Sequence, residues 1–277
     1  MRFSLSTLNW MSFPEPPRID RAIQPCTAAS LEDVLTAARD AGFDTVGLDT
    51  LGLGARIESD GRLREVAALL ADLGLGCSDV GVLRVGQTDG LAAARTLART
   101  AGVVGATVCG TVVDAPLGSG VVTSLKRCAE VLADSGVRMA FEFMAYAPLG
   151  TLERAISVCD EVGWDRCGLL LDSWHLFHSD RPWDLIATLT ADQIALVQVS
   201  DGKADIGGEE DFFVESRWGR VPPGEGSCDL PALLAAIAAT GYDGFVSPEV
   251  LSLGARYSDP SECARELMRT LRASIPH

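Results

Sequence analysis

Four polar residues stand near the ends of short apolar segments in the second half of this 277-residue sequence. They are Glu142 in Ala-Phe-Glu-Phe, Asp172 in Leu-Leu-Asp-Ser, Gln198 in Leu-Val-Gln-Val and Glu249 in Ser-Pro-Glu-Val. Three carboxylates and one amide carbonyl form an all-oxygen ligand set, which suits Mg²⁺ or Mn²⁺, whereas Zn²⁺ favours histidine and cysteine. A cation of this kind stabilises negative charge on a carbonyl oxygen and so promotes removal of the neighbouring proton.

Side-chain alternation along a strand predicts which way these residues point. Glu142 shares one face with Ala140, while Phe141 and Phe143 share the other. Helices outside a sheet bury apolar side chains, so the two phenylalanines point outward and Glu142 points inward. The same parity turns three more residues inward: Asp172, Gln198 and Glu249. Carboxylates gathered this way need a positive partner, either a divalent cation or, for one or two of them, a buried arginine.

His175 follows Asp172 by three residues and is one of three histidines in the chain. A neutral imidazole at this place could act as general base or acid near pH 7, and His178 is a weaker candidate. The alternative is a histidine that only hydrogen-bonds a loop. We expect Glu142, His175 and Glu249 to form the catalytic set.

Two arginines lie in the segment Arg-Trp-Gly-Arg-Val-Pro-Pro-Gly-Glu-Gly, whose glycines and prolines predict a rigid turn. Arg220 is the first candidate to bind the substrate, because a guanidinium neutralises a carboxylate or an enolate oxygen. An ion pair with Glu225 or with Glu142 is an equally good interpretation of Arg220. Arg217 is the second candidate for substrate binding.

The elements that must position these residues alternate along the chain as short apolar strands and longer helical segments, which indicates βα units. Ser30 and Asp33 predict a helix-opening capping box, and Gly42 and Gly241 predict helix ends. Eight such units favour a closed (β/α)8 TIM barrel as one domain over residues 1–277. The predicted strands are 3–10, 45–50, 77–83, 105–110, 138–144, 167–174, 194–201 and 244–250. Two long loops, 11–29 and 202–226, are expected to be lids over the barrel mouth.

Composition narrows the classes of partner. A net charge of −15 argues against nucleic acid and anionic membranes, because binding such polyanions depends on lysine and arginine. The eight scattered cysteines predict free, mostly buried thiols. The chain shows neither a signal segment nor an apolar run that could span a membrane, so we expect a cytoplasmic protein. A homo-oligomer is possible.

The strings around Glu142, Asp172-Ser-Trp-His175, Gln198-Val-Ser-Asp, Arg220-Val-Pro-Pro-Gly-Glu-Gly and Ser-Pro-Glu249 resemble the xylose-isomerase-like sugar isomerase and epimerase superfamily over nearly the whole chain. The resemblance implies a metal-dependent isomerase or epimerase of a small keto-sugar or cyclic polyol ketone, with one Mn or Mg ion, or Co or Zn. It implies that Glu142, Asp172 and Glu249 are metal ligands. Gln198 replaces the histidine usual in epimerases and resembles the 3-dehydroshikimate dehydratase branch, in which the role of the base falls to His175.

Three other interpretations compete with this one. A repair endonuclease of the same barrel type would need a histidine-rich zinc cluster and a basic groove, and three histidines with a net charge of −15 argue strongly against it. A Schiff-base aldolase would need an inward lysine, and the chain has only Lys126 and Lys203. A non-catalytic sugar-binding barrel stays open.

Overall fold

The computed structural model describes residues 1–12, 24–25, 29–51, 60–179, 182–203, 209–251 and 259–275. Eight parallel strands close into a barrel, and each strand pairs with the next along the chain, the last with the first. The strands are β1 (Arg2–Ser6), β2 (Thr45–Asp49), β3 (Gly76–Val85), β4 (Val108–Val113), β5 (Arg138–Glu142), β6 (Cys167–Asp172), β7 (Ile194–Val199) and β8 (Phe245–Pro248). The predicted (β/α)8 architecture is confirmed.

Helices connect the strands on the outside of the barrel. They are α1 (Leu31–Ala41), α2 (Asp60–Leu73), α3 (Leu91–Val104), α4 (Ser119–Ala133), α5 (Leu152–Val162), α6 (Ser173–Phe177), α7 (Pro182–Ile186), α8 (Glu209–Val214), α9 (Leu230–Ala239) and α10 (Pro260–Ser274). Short 3-10 turns cover Thr7–Trp10 and Ala191–Gln193, and a π turn covers Glu215–Gly219. None of the helices in the described part of the chain is long and apolar enough to cross a membrane.

The helix signals predicted from the sequence are present. Ser30 and Asp33 form the reciprocal capping box that opens α1, and Gly42 ends this helix with φ of 85°. Gly241 follows α9 with φ of 87°. Glycine has no Cβ atom and so adopts the left-handed backbone conformation without steric cost. This explains why a glycine follows the C-terminal end of each of these two helices.

Strand limits differ from the prediction at several strands, the first, fourth and sixth among them. Strand β4 covers 108–113 instead of the predicted 105–110, because Gly105 caps α3 with φ of 78°. Strand β1 ends at Ser6, because the Ser6 side chain accepts a hydrogen bond from the Leu8 amide and starts the 3-10 turn. Strand β6 ends at Asp172, whose carboxylate accepts from the Trp174 amide at 2.7 Å and starts α6. At the first and sixth strands a polar side chain satisfies the first helical N–H, a local competition that hydrophobic patterning does not register.

Most of the core lies between the barrel and its helices. Phe141 and Phe143 are buried there, as side-chain alternation predicted. Inside the barrel, a small apolar cluster fills one region: Val108, Ala140, Leu170, Ala195, Leu196 and Phe245. Among the described cysteines, all seven are free and six are buried. The predicted lid 11–29 lies mostly outside the described residues, and the loop after β7 is described except for residues 204–208.

Candidate active site

The four polar residues at the ends of β5 to β8 meet at the carboxyl end of the barrel. Glu142 closes β5, Asp172 closes β6, Gln198 lies within β7 and Glu249 directly follows β8. Register places Asp172 beside Gln198 in adjacent strands. Asp172, Gln198 and Glu249 are at most 6% exposed, and the Glu142 side chain is 14% exposed. Glu142, Gln198 and Glu249 line one cavity of about 40 Å³.

Gln198 and Glu249 are joined directly. The Gln198 Nε2 donates a hydrogen bond to the Glu249 Oε1 at 2.6 Å, and the Ser6 hydroxyl donates to the same oxygen at 3.3 Å. The Gln198 Oε1 is buried and has no hydrogen-bond partner among the described residues. A buried carbonyl oxygen without a donor loses free energy, so this oxygen fits a cation or a substrate donor.

Arg220 is buried against Asp172 in the same cluster. Its Nη1 donates to the Asp172 Oδ2 at 2.7 Å, to the Ser200 hydroxyl at 3.2 Å and to the Glu249 backbone oxygen at 3.3 Å. The two pairings proposed from the sequence, with Glu225 or Glu142, were therefore wrong about the partner. The nearest acid in space is Asp172, while Glu225 lies 3.8 Å from an exposed arginine, Arg269.

The loop after β7 holds Arg220 in this place. Arg220 directly precedes Val221, whose backbone N–H and C=O both bond to Asp201 at 3.0 Å. The Asp201 carboxylate accepts from the backbone N–H groups of Gly202 at 2.8 Å, Gly224 at 3.1 Å and Cys228 at 2.9 Å. Asp201 thus holds the segment from Val221 to Cys228 by both its backbone and its carboxylate. This segment overlaps the one whose glycines and prolines predicted a rigid turn, and it places Arg220 inside the barrel mouth.

His175 lies in the first turn of α6, where the Asp172 cap places it over the cluster. Its Nε2 is 3.6 Å from the Glu142 Oε1 and 3.5 Å from the Arg220 Nη2. The His175 Nδ1 is buried without a partner among the described residues. Burial lowers the pKa of His175 to about 3, so the ring is neutral at physiological pH.

Burial and mutual repulsion set the charges of the carboxyl groups. Burial, and then the neighbouring Asp172, raise the pKa of Glu142 to about 7. Burial and the proximity of Glu142 raise the pKa of Glu249 well above its usual value. Burial alone would raise the pKa of Asp172 too, but the Arg220 guanidinium holds it below the ordinary value. Arg220 thus compensates the negative charge of Asp172, whereas the charges of Glu142 and Glu249 are compensated only in part.

The donor atoms fit a divalent cation. One oxygen of Glu142, one oxygen of Asp172 and a ring nitrogen of His175 lie within 4.8 Å of one another. The Gln198 Oε1 lacks a donor among the described residues, and the arginines compensate the charges of the two glutamates only in part. The protein groups are mainly oxygens, as hard divalent ions prefer, with His175 as a possible nitrogen donor.

The remaining predicted residues have other surroundings. The Arg217 guanidinium stacks 3.6 Å from the Phe213 ring centre and lies 5.1 Å from that of Tyr146. The ring nitrogens of His178 lie 2.7 and 2.9 Å from the backbone oxygens of Trp174 and Lys203. His178 therefore stabilises the loop, and it is not a member of the cluster.

Sequence reasoning missed two charged residues of β3. Asp79 lines the same cavity as Glu142, and Arg84 lowers the pKa of Glu142 by its positive charge. Both are charged residues in a mainly apolar strand, and this could have marked them as candidates for the site. The direction of their side chains could not be predicted, because the register between β3 and β4 is irregular and simple alternation does not apply there.

Comparison with known proteins places this geometry among characterised relatives. A 3-dehydroshikimate dehydratase of Pseudomonas aeruginosa is 30% identical over 260 residues, which cover 88% of this chain and 40% of that protein. An inosose isomerase of Bacillus subtilis is 31% identical over 138 residues, covering 47% of this chain and 45% of the relative. The matched regions are thus less than half the length of both curated relatives.

Solved structures share the fold. The IOLI protein with a bound zinc atom superposes with a TM-score of 0.82 at 18% identity, over 99% of this chain and 98% of that chain. A D-psicose 3-epimerase from Clostridium cellulolyticum H10, solved with D-tagatose, gives a TM-score of 0.70 at 14% identity, over 99% and 98% of the two chains. The sequence pattern of one family matches residues 35–274, which include all four converging polar residues. The chain therefore belongs to the xylose isomerase-like TIM barrel family.

Proposed function

We propose that the protein is a divalent-metal-dependent enzyme that removes a proton beside the carbonyl group of a small polyhydroxy ketone. Glu142, Asp172, Gln198 and Glu249 would hold the ion, with Mn²⁺ or Mg²⁺ favoured by the oxygen donors. One observation carries the proposal: Glu142 and Glu249, whose pKa values are raised, line one cavity with the amide oxygen of Gln198, which has no partner among the described residues. A bound ion would polarise the substrate carbonyl and stabilise negative charge on its oxygen.

His175 is our candidate base. Its ring is neutral, and its Nε2 faces Glu142 and Arg220, so it can accept a proton at the cluster. The nearby Arg220 guanidinium opposes the positive charge that His175 gains, and the Asp172 carboxylate favours it. Glu249 is the second acid-base candidate: as a metal ligand it would be ionised, so it would accept a proton from the substrate and return it to the substrate carbon.

Two outcomes can follow proton removal. Return of the proton on another carbon or on the other face gives an isomer or epimer. Loss of a β-hydroxyl group, which leaves as water after taking up a proton, gives a dehydrated product. Both share the first step, so the arrangement of the cluster supports either.

Charge favours the second outcome, a lyase of the 3-dehydroshikimate dehydratase type. Three guanidinium groups act on the cluster, since Arg220, Arg217 and Arg84 all lower the pKa of Glu142. Such a concentration of positive charge near the cluster suits a ketone that carries a carboxylate. The relative that matches most of this chain is a dehydratase of this type. Isomerisation of an uncharged polyol ketone is the second candidate, favoured by the raised pKa of Glu249 and by the inosose isomerases among the relatives.

The test uses purified protein with Mn²⁺, 3-dehydroshikimate and inosose. In D₂O, loss of the ¹H signal at the carbon beside the carbonyl reports the shared step for either substrate. A catechol absorbance selects the dehydratase, and a new ketone isomer selects the isomerase. Binding with neither exchange nor product would leave a non-catalytic binding barrel and overturn the proposal. Glu161→Gln, an exposed change on α5, serves as the matched control for Glu249→Gln.

A further inference from the structure

Asp79 is an inward-facing carboxyl group that the proposed chemistry does not use. It lies in β3 beside Gly47 of β2. A Cβ atom at position 47 would lie 2.7 and 2.8 Å from the two Asp79 carboxyl oxygens. Glycine at 47 therefore makes room for this carboxyl group, and any larger residue would displace it.

The cavity that Asp79 lines is also the cavity of the cluster. Its wall on the β2, β3 and β4 side contains Gly47, Gly81 and Gly110, and the opposite wall carries Glu142 and Glu249. A Cβ atom at Gly81 would lie 3.2 Å from the Gly110 backbone oxygen, so glycine at 81 lets β3 and β4 approach closely here. Leu48, Asp49 and Val82 also line this side of the cavity. Asp79 lies two residues before Gly81, about 7 Å further down the strand. Asp79 therefore lies at the inner end of the cavity, which we call its floor, below the wall formed by the three glycines.

Hydrogen bonds leave this carboxyl group with capacity to accept more. Ser78 is its one hydrogen-bond donor among the described residues, and the Ser78 hydroxyl in turn contacts that of Ser4 at 2.7 Å. A carboxylate can accept about four hydrogen bonds. Asp49, in the same cavity, differs because it accepts from the Thr7 hydroxyl at 2.6 Å and the Leu51 amide at 2.8 Å.

The buried carboxyl group of Asp79 lowers the stability of the fold. Burial raises its pKa to about 6, and the Ser78 hydrogen bond only partly opposes this. It forms no ion pair with any described residue, and its charge also raises the pKa of Glu249. Residues that lower stability without a structural partner commonly serve binding.

We propose that Asp79 accepts a hydrogen bond from a hydroxyl group of the substrate at the cavity floor and so selects hydroxylated ring ketones over their deoxy analogues. The inference rests on the proposed function and names the substrate chemistry of that site. A ketone held between the ligand set and the glycine wall turns its ring toward Asp79. The cavity, about 40 Å³, exceeds the about 10–15 Å³ that one water needs by the same measure, so a hydroxyl group fits.

The test compares wild type with Asp79→Leu and Asp79→Asn. Calorimetry with Mn²⁺-loaded protein measures the affinity for inosose, for 3-dehydroshikimate and for monodeoxy analogues of each. We expect wild type to prefer at least one parent ketone over one analogue by about tenfold, the effect of one hydrogen bond to a charged group. Asp79→Leu should lose this preference, and Asp79→Asn should reduce it, while both variants still bind Mn²⁺.

Thermal unfolding separates binding from a structural role. Both substitutions remove a buried charge, so the melting temperature should rise or stay level while ligand affinity falls. Asp134→Asn, at the exposed end of α4, is the surface control and should change neither property. A lower melting temperature with all ligands weakened equally would show a structural residue and overturn the proposal.

The two proposals fail in different ways. Ligand preference without turnover would refute the proposed enzyme and retain Asp79 as a binding residue. Turnover by wild type with no preference between hydroxylated and deoxy ligands would refute the role of Asp79 alone, and the floor would then hold only water. Absence of any ketone binding would refute both.

Discussion

The Arg220 guanidinium donates to the Asp172 carboxylate at 2.7 Å, and both side chains are at most 2% exposed. This contact ties the loop after β7 to the end of β6. A buried carboxylate with a single arginine is strongly destabilised when the arginine is removed, because the remaining charge has no partner. Asp172 is also a candidate metal ligand, so the ion pair and the cation act on the same group.

We expect Arg220→Met to lower the free energy of unfolding by about 3–5 kcal/mol in metal-free protein, because Asp172 is left as an unpaired buried charge. Saturating Mn²⁺ should recover part of this loss, since an ion at the cluster compensates the same carboxylate. Urea unfolding with EDTA and with Mn²⁺ measures both values. Equal losses in the two conditions would show that the ion does not contact Asp172. Arg269→Met, on the exposed face of α10, is the control.

Glu249→Gln should weaken Mn²⁺ binding by at least about 10- to 100-fold, the range seen when groups that only support metal ligands are lost. The charge is removed with little change of shape, and the Gln198 contact loses its ionic acceptor. Titration calorimetry measures the affinity, and proton exchange into D₂O measures the activity. Unchanged affinity would exclude Glu249 from the ligand set.

Metal binding should release protons below about pH 7. The pKa of Glu142 is about 7 and that of Glu249 is also raised in the metal-free protein, so both carboxyl groups hold protons that a cation must displace. Affinity for Mn²⁺ therefore rises with pH through this window, by up to about tenfold per unit for each proton released. Calorimetry at pH 6 in two buffers of different ionisation enthalpy counts the protons. A count of zero at pH 6 would contradict the raised pKa values.

The raised pKa of Asp79 predicts that the stability of the fold depends on pH, independently of metal binding. Its pKa is 3.8 unfolded and about 6 folded, so between these values only the folded state holds the proton, and stability falls as pH rises. At 1.36 kcal/mol per unit, wild type should lose about 2–3 kcal/mol over this window relative to Asp79→Asn. Urea unfolding of both proteins from pH 4 to pH 7 gives the difference, in which the shared contributions of Glu142 and Glu249 largely cancel. Parallel curves would place the Asp79 pKa near its unfolded value.

The sequence predicted much of the cluster because strand alternation is a local rule. Glu142, Asp172, Gln198 and Glu249 each follow an apolar run in or at the end of a strand, so their inward direction and their level at the barrel mouth could be inferred. The register shift between β6 and β7 lies before Asp172 and Gln198, which are paired directly. His175 was predicted from its spacing after Asp172, although the cap that starts α6 one residue after Asp172 was not.

What the sequence could not provide depends on contacts between distant segments. The partner of Arg220 is 48 residues away and is reached only because Asp201 fixes the intervening turn. Asp79 was missed because β3 is irregular against both neighbouring strands, so its inward direction follows from the three-dimensional register. Side-chain patterns do not encode such displacements.

The two halves of the chain contribute different residues to the inside of the barrel: the three wall glycines come from β2, β3 and β4, and the proposed ligands come from the ends of β5 to β8. The second half of the chain supplies the proposed metal ligands and His175, while β2, β3 and β4 supply three glycines together with the carboxyl groups of Asp49 and Asp79. Reactivity and fit to the ligand are consequently carried by separate stretches of sequence. Enlarging Gly110, whose Cβ would meet only Leu170 at 3.9 Å, should narrow the accepted range of molecules while leaving the reactive groups in place.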